Sequence, residues 1–136
     1  LVNQGNGKFR DEAKQAGVSG YSTSMGVATG DITGDGRSDI YVANMFSKMG
    51  RRIIAHVDAE DYPKGIYEQI RGSCAGNRLY TADDDRERYQ ETSEAYGVNA
   101  VGWAYAPVLA DFDADGLLDI YATAGFLSYK RDKPDG

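Results

Sequence analysis

The chain has 136 residues, 17 of them glycine, and a formal net charge of −6. This length fits one ordinary domain, and the acidic balance argues against a nucleic-acid partner. No stretch approaches the roughly 20 apolar residues of a membrane-spanning helix. A glycine content of about one in eight is well above the roughly 7% average and is typical of turn-rich β proteins.

The first 46 residues read as a series of strands. Leu1-Val2-Asn3 begins a strand that turns at Gly5-Asn6-Gly7, and a polar link leads to a further strand. The next loop, residues 31–39, places acidic or hydroxyl side chains at alternate positions, then a glycine, then another aspartate three residues later. The run Ile40-Tyr41-Val42-Ala43 after it is rich in β-branched and aromatic residues, which indicates a strand.

Oxygen side chains at alternate positions of a tight loop converge on one point, and Ca²⁺ collects six to eight oxygen ligands. We therefore predict a first calcium site in this loop. Its side-chain ligands are Asp31, Thr33, Asp35 and Asp39, and a backbone carbonyl near Arg37 completes it.

Residues 47–76 are the segment least like the rest of the chain. The stretch from Ser47 to His56 is locally basic, residues 61–65 have turn composition, and residues 65–71 are compatible with a short helix. Long insertions often carry function. The segment is either a simple connection or a partner surface, with the candidate partner residues Arg51, Arg52, Tyr62 and Tyr67.

The second half of the chain repeats the first. Adding 80 carries Gly17 onto Gly97, Asp31 onto Asp111, and Phe46 onto Phe126 without a gap, whereas Leu1-Val2-Asn3 matches residues 79–81 at a shift of 78. The first hairpin turn is thus replaced by the longer turn 83–87. Self-similarity at a fixed period indicates a propeller or another repeat array. We divide the chain into a first repeat (1–46), an insertion (47–76) and a second repeat (77–136).

The second repeat contains the same nine-residue loop, at positions 111–119. We predict a second calcium site here, and Gly36 and Gly116 supply the positive φ that each sharp turn requires. The ligands are the side chains of Asp111, Asp113, Asp115 and Asp119 and the carbonyl of Leu117. Because this loop has four carboxylates and the first has three, the second site is expected to bind Ca²⁺ more tightly.

An EF-hand or dockerin origin is disfavoured by the sequence on the carboxyl side of each loop. An EF-hand needs a bidentate glutamate at position twelve and a helix on each side. Position twelve is Val42 in the first loop and Ala122 in the second, and both lie in strand-like sequence. The pattern therefore favours β-loop-β sites.

These motifs resemble a known family. The combination of Leu-x-Asn-x-Gly-x-Gly-x-Phe, Ala-Gly-Val and Asp-x-x-x-Asp-Gly-x-x-Asp-Ile-Tyr-Val is similar to FG-GAP or VCBS repeats, which form the β-propellers of integrin α-subunits and of cartilage-acidic-protein-like proteins. The resemblance covers most of the chain except residues 47–74, and it implies that the loop aspartates bind Ca²⁺. Two departures are the lost Gly-x-Gly tip of the second hairpin and Pro107, which predicts an edge or irregular strand.

The expected fold is therefore all-β, with propeller blades of antiparallel strands and β-loop-β calcium sites. A closed propeller needs four to eight blades, so we expect further blades or other chains to complete it. The expected function is a non-enzymatic, extracellular module for recognition, adhesion or assembly, with a protein or carbohydrate partner and structural Ca²⁺. Secretion, the periplasm or the cell surface suits sites that need about millimolar Ca²⁺.

Two alternatives stay open. One is an enzyme acting on polysaccharide from a propeller scaffold, although His56 and Cys74 have no recognisable catalytic context in the sequence. The other is a helical calcium sensor or dockerin-like module, against which position twelve of both loops argues.

Overall fold

The structure, a computed structural model, describes residues 1–84 and 88–125. It consists mostly of antiparallel β-strands, with helices confined to the middle of the chain. The strands are β1 (Val2–Gly5), β2 (Lys8–Arg10), β3 (Ser24–Gly30), β4 (Asp39–Asn44), β5 (Arg78–Ala82), β6 (Tyr89–Glu91), β7 (Ala104–Ala110) and β8 (Asp119–Ala124). The helices are α1 (Lys48–Ile54), a 3-10 turn (Ala59–Asp61) and α2 (Ile66–Ser73).

The strands form three antiparallel sheets in the described part of the chain. β1 pairs only with β2, β7 pairs only with β8, and β3, β4, β5 and β6 form one four-stranded sheet in that order. This central sheet joins the second half of the first repeat to the opening hairpin of the second repeat. The sequence repeat and the structural sheet are therefore offset by half a unit.

The first hairpin forms as its glycines predict. Gly5, Asn6 and Gly7 all have positive φ, and β1 and β2 resume pairing at Gly5 and Lys8. The two-residue connection Asn6-Gly7 has the left-handed geometry that matches the twist of a hairpin. The longer turn predicted for the second hairpin includes residues 85–87, which lie outside the described residues, as do Phe126 and the rest of the second repeat from 126 to 136.

The core lies where β4 and β5 meet. Tyr41, Ala43 and Leu79 are completely buried, and Tyr80 and Ala104 are nearly so. Tyr41 pairs with Leu79 across the two strands, which are the central strands of the sheet. Cross-strand apolar pairs of this kind are the main stabilising unit of a sheet.

The β7–β8 hairpin packs against β3 through small residues. A methyl group added at Gly26 would meet the carbonyl of Tyr105 and the ring of Pro107, and one added at Gly30 would meet Leu109 and Leu118. These glycines allow the two backbones to approach closely. β7 is irregular between Ala104 and Pro107, where its register shifts, as the proline at position 107 predicts.

The insertion is helical, which departs from the expected all-β fold. α2 confirms the short helix expected near residues 65–71, whereas α1 was not expected. Ser47 caps α1 by accepting a hydrogen bond from the Gly50 amide at 3.0 Å, and Arg51 and Arg52 lie in its last turn, where cations are favoured. Within the described residues, no helix has the length and apolar character needed to cross a membrane.

Candidate metal centre

Both predicted loops connect neighbouring antiparallel strands. Gly30 pairs with Asp39 at the open end of the first loop, and Ala110 pairs with Asp119 at the open end of the second. The strand pairing thus holds the residue before each loop beside the aspartate at position nine. The loops are also adjacent to each other, because the Leu117 side chain of the second loop lies against Gly34 of the first.

The turn in each loop depends on two left-handed residues. Gly36 and Gly116 have φ values of 82° and 91°, which confirms the positive φ predicted for them. Position four is left-handed as well, with φ of 74° at Gly34 and 63° at Ala114. The sequence pattern did not predict this second requirement, although the glycine at position 34 was a signal for it.

The first aspartate of each loop organises the backbone. Asp31 accepts hydrogen bonds from the amides of Asp35 and Gly36 at 3.0 and 2.8 Å. Asp111 accepts the equivalent bonds from Asp115 and Gly116 at 3.1 and 2.9 Å. Both carboxylates are therefore held in fixed orientations by the loop's own amides.

The aspartate at position five of each loop is held in the same way. Asp35 accepts from the Arg37 amide at 2.9 Å, and Asp115 accepts from the Leu117 amide at 2.8 Å. The match of these distances shows that the two loops share one backbone conformation. The duplication seen in the sequence is therefore also a duplication of local structure.

Three carboxylates converge in the second loop. Asp111, Asp113 and Asp115 each offer one oxygen, and these oxygens all lie within 4.8 Å of one another. Two oxygens bound to the same Ca²⁺ at 2.3–2.6 Å are separated by at most about 5 Å. The spacing fits a single calcium ion. It also brings together like charges that repel one another when no cation is bound.

The first loop differs because Thr33 replaces the middle aspartate. Its Oγ1 atom is buried and makes no hydrogen bond of normal geometry to the described residues, although it lies near enough to Asp35 to help lower the pKa of that carboxyl. A buried hydroxyl without a partner is costly. A cation in the loop would give this oxygen a ligand role, so the donor set fits Ca²⁺ here as well.

Arg37 places a positive charge inside the first loop. Its guanidinium forms an ion pair with Asp35 at 2.7 Å and reaches the second hairpin through the Asp83 carbonyl at 2.8 Å and Asp84 at 3.1 Å. The hydrogen bond from Arg37 is the main reason that the pKa of Asp35 is lowered. The uncharged Leu117 occupies the equivalent position of the second loop, and no ion pair to Asp115 is found among the described residues.

The aspartates at position nine tether the loops. Asp39 is completely buried and accepts hydrogen bonds from the amides of Ile32 and Thr33, both at 3.0 Å, and of Ala82 at 2.9 Å. Asp119 accepts from the Phe112 amide at 3.0 Å and lies outside the group of three converging carboxylates. Asp39 therefore joins the first loop to β5.

A buried polar network surrounds Tyr41, and the sequence pattern did not predict it. The Tyr41 hydroxyl donates to the Val98 carbonyl at 3.0 Å and accepts from the Asn77 amide group at 2.6 Å. Asn77 in turn accepts from the backbone amide of Asn44 at 2.8 Å. Burial raises the pKa of Tyr41, and the bond from Asn77 opposes that shift. The network links β4 to Asn77, which lies just before β5, and to Val98, which follows β6.

The candidate partner residues of the insertion separate into two groups. Arg51 and Tyr67 line a cleft of about 1120 Å³ between the helices and the segments that precede β3 and β7. Arg52 and Tyr62 do not line this cleft. Tyr62 contacts Tyr67, with ring centroids 6.4 Å apart. Arg51 pairs with Glu94 at 3.3 Å and lies 5.9 Å from the centre of the Phe46 ring.

Comparisons with known proteins identify the first repeat. Residues 1–42 match the family model of the FG-GAP-like repeat. This match spans β1 to β3 and most of β4, and it includes the whole first loop. No curated protein and no solved structure matched the chain. The match shows that residues 1–42 contain an FG-GAP-like repeat, as the motifs of this segment predicted.

Proposed function

We propose that the chain is a calcium-binding module of an extracellular β-propeller, without enzymatic activity, that serves recognition, adhesion or assembly. The observation that carries this proposal is the convergence of Asp111, Asp113 and Asp115 within 4.8 Å. The FG-GAP-like repeat over residues 1–42 supports an integrin-like propeller type of module.

Ca²⁺ is the cation that suits this donor set. Carboxylates, a hydroxyl and backbone carbonyls are hard oxygen ligands, and the flexible geometry of Ca²⁺ suits a short loop of this kind. Mg²⁺ requires a near-ideal octahedron and keeps several waters. The carboxylates of the second loop are exposed and open to a cation from solution.

The two sites are expected to differ in affinity. The second loop offers four aspartates at its ligand positions, and the first offers three and a threonine. Arg37 also neutralises Asp35, because the two side chains are 2.7 Å apart. Both differences favour the second site, since the number of ligand charges tunes calcium affinity.

The role proposed for Ca²⁺ is structural. Each loop joins two paired strands, so a bound ion holds the loop in the conformation that its own amides already favour. If free Ca²⁺ exceeds Kd about a hundredfold, each independent site adds roughly 2.7 kcal/mol of stability. That is a large share of the stability of a small domain. Extracellular Ca²⁺ at about millimolar concentration suits modest affinities of this kind.

Isothermal titration of EDTA-stripped protein with Ca²⁺ tests the proposal. We expect two sites per chain, with the tighter one lost in Asp115→Ala and retained in the control Asp61→Ala, which removes an exposed aspartate of the insertion. Circular dichroism establishes that each variant is folded. Folded protein that binds no Ca²⁺ would show that the aspartates only shape the loops.

A further inference from the structure

The cleft of about 1120 Å³ beside the helices, here named the insertion cleft, lies at the end of the central sheet remote from the first calcium loop. β4 leaves that loop at Asp39 and enters the insertion after Asn44, and Arg78 at the start of β5 lines the cleft. All of the lining residues fall between Ser19 and Asn99. The walls of the cleft are therefore formed by the interior of the described chain.

Tight backbone packing fixes these walls. α2 lies directly on the segment before β3, because a methyl group added at Gly72 would collide with the Tyr21 carbonyl. One added at Gly76 would collide with the Asn99 carbonyl, which also accepts a hydrogen bond from the Asn77 amide at 3.0 Å. A cleft whose walls are already in place binds a ligand without the cost of ordering them.

Two of the three arginines that line the cleft already have carboxylate partners. Arg51 pairs with Glu94 at 3.3 Å, and Arg78 pairs with Glu91 at 3.5 Å. Arg71 is exposed and forms no ion pair with a described residue. Its guanidinium presents a planar fork of N–H donors that matches a carboxylate. The cleft therefore offers one cationic position to a ligand.

Tyrosine side chains lie near this guanidinium. Tyr67 and Arg71 are four residues apart on α2, so they share one face of the helix, and both line the cleft. Tyr21 lines it from the adjoining segment and is 53% exposed. A tyrosine combines an apolar ring with a polar hydroxyl, and a sugar likewise has an apolar face and hydroxyl groups at its rim. The combination fits a sugar that carries a carboxylate.

The glutamates of the cleft restrict the ligand further. Glu68 on α2 lines the cleft together with Glu91 and Glu94. Ionised carboxylates only accept hydrogen bonds, so the ligand must supply donors beside its own negative charge. Sugar hydroxyls supply such donors, whereas closely spaced phosphate or sulfate groups would be repelled. The lining favours a carbohydrate with isolated carboxylates over a dense polyanion.

The apolar part of the lining is too small to anchor a peptide. Among the described residues that line the cleft, the aliphatic ones are Ile54, Ala55 and Ala75, and Ile54 is only 7% exposed. Bound peptides are anchored by apolar side chains that fill pockets or grooves. The volume is slightly above the range of about 300–1,000 Å³ for small-ligand sites, which leaves room for several sugar units.

We propose that the insertion cleft binds an acidic oligosaccharide. Arg71 pairs with a uronate carboxylate, Tyr67 packs against a sugar ring, and Glu68 accepts hydrogen bonds from sugar hydroxyls. The proposal deepens the recognition role in the proposed function and rests on it, but it does not rest on occupancy of the calcium loops.

Calorimetric titration with tetrasaccharides tests the proposal. The probes are the tetrasaccharides of galacturonate, of guluronate and of hyaluronan, each compared with its neutral methyl ester. Titrations are made in EDTA and at about millimolar Ca²⁺, and circular dichroism establishes which form is folded. We expect folded protein to bind at least one acidic probe with Kd of about 1 mM or tighter. Its ester should bind about tenfold more weakly, because the charge-assisted hydrogen bonds are lost. Folded protein that binds none of the acidic probes overturns the proposal.

Substitutions in the cleft test the assigned roles. Arg71→Gln should weaken binding of the acidic probe by about tenfold and leave binding of its ester unchanged. Tyr67→Ala should weaken both by about threefold to tenfold. The matched control is Arg52→Gln, which removes an exposed arginine of the insertion that does not line the cleft. Equal weakening by Arg71→Gln and Arg52→Gln would show unspecific attraction between charges and would overturn the site.

Two further comparisons separate this proposal from its alternatives. A tetraglutamate peptide that binds as tightly as the sugars, with the same dependence on Arg71, overturns the carbohydrate in favour of an acidic protein segment. Asp115→Ala, which alters only a calcium loop, should leave sugar binding unchanged. Sugar binding without calcium binding contradicts only the calcium proposal, and calcium binding without sugar binding contradicts only the insertion cleft as a sugar site.

Discussion

The left-handed backbone conformation at position four strains the second loop but not the first. Gly34 adopts φ of 74° without strain, whereas Ala114 adopts 63° with a Cβ atom that this conformation disfavours. We predict that Ala114→Gly raises the free energy of unfolding by about 0.5–1 kcal/mol, the strain relieved less the added flexibility of the unfolded chain. Urea denaturation in EDTA measures the change.

The reverse substitution is the control for this prediction. Gly34→Ala introduces the same strain into the first loop and should lower the free energy of unfolding by about 1 kcal/mol. Space alone does not prevent it, because the added methyl group would lie 3.4 Å from Leu117, an ordinary contact distance. Changes of the same sign in both variants would show that the left-handed conformation is not the cause.

Position seven distinguishes the two loops by charge. Arg37 forms an ion pair with Asp35, whereas the equivalent residue of the second loop, Leu117, carries no charge. We predict that Arg37→Leu raises the calcium affinity of the first site by about twofold to fivefold, the range expected for losing a partly exposed ion pair. Leu117→Arg should lower the affinity of the second site in turn. Calorimetric titration of both variants measures the two changes, and an unchanged first site in Arg37→Leu would contradict the prediction.

The candidate ligands of the loops could be predicted from the sequence, but the hydrogen bonds that the same aspartates accept from distant strands could not. Spacing alone placed eight oxygen side chains in two loops, and the structure brings Asp111, Asp113 and Asp115 together. The bond from the Ala82 amide to Asp39 crosses 43 residues of chain. A contact of that kind depends on strand pairing, which a local pattern does not contain.

At the scale of strands, Tyr41 and Tyr121 offer an internal comparison. Both follow a loop at the same position, yet the Tyr41 hydroxyl lies in a hydrogen-bonded network with Asn77 and Val98 and the Tyr121 side chain is exposed. We predict that Tyr41→Phe lowers the free energy of unfolding by about 1–3 kcal/mol, because it leaves buried polar partners unsatisfied. Tyr121→Phe should change it little. Thermal and urea unfolding compare the two variants, and equal effects would contradict a special role for the network.

Tyr41 also makes the folding stability of the protein depend on pH under alkaline conditions. Burial raises the pKa of Tyr41 above the ordinary value of about 10. The folded state therefore disfavours the phenolate, so this group's contribution to stability is complete below about pH 10 and is lost as pH rises through the raised value. We predict that the loss of stability above about pH 10 is less steep in Tyr41→Phe than in the unmodified chain. Parallel slopes in urea denaturation from about pH 9 to 11 would contradict this assignment.

Strand positions could be predicted where the local signal was strong. The hairpin at Asn6-Gly7, the loops and the strands after them are all indicated by turn glycines and β-branched residues. Helix α1 was missed because its basic stretch has little helical periodicity, and its Ser47 cap is recognisable only once the helix is known. Local composition predicts such a segment poorly, since packing of Ile54 helps to fix it.

At the scale of the whole molecule, the position of the sheets departs from the repeat boundaries. The duplication indicates units that begin at Leu1 and near Asn77, whereas the complete sheet runs from β3 to β6 across that boundary. The insertion 47–76 therefore connects two neighbouring strands of one sheet, β4 and β5. A sequence period gives the length of the unit, but it does not show which half pairs with which.

Contact between the central sheet and the β7–β8 hairpin depends on glycine in β3. A methyl group at Gly26 would collide with the Tyr105 carbonyl, so β7 would have to shift. We predict that Gly26→Ala lowers the free energy of unfolding by about 1–3 kcal/mol, as overpacking does in a core. Gly20→Ala is the matched control, because only the Tyr80 hydroxyl lies near that position, at 3.9 Å.

Hydrogen exchange shows where the Gly26→Ala effect acts. If β3 and β7 pack as described, the variant should lose amide protection in β7 and β8, while the pairing of β4 with β5 stays protected, because the latter strands are held by their own buried core. Tyr41 and Leu79 make that core independent of the glycine face. Uniform loss of protection across all strands would instead mean that the two sheets unfold as a single cooperative unit, and that their contact is as central to the fold as the pairing within the sheet.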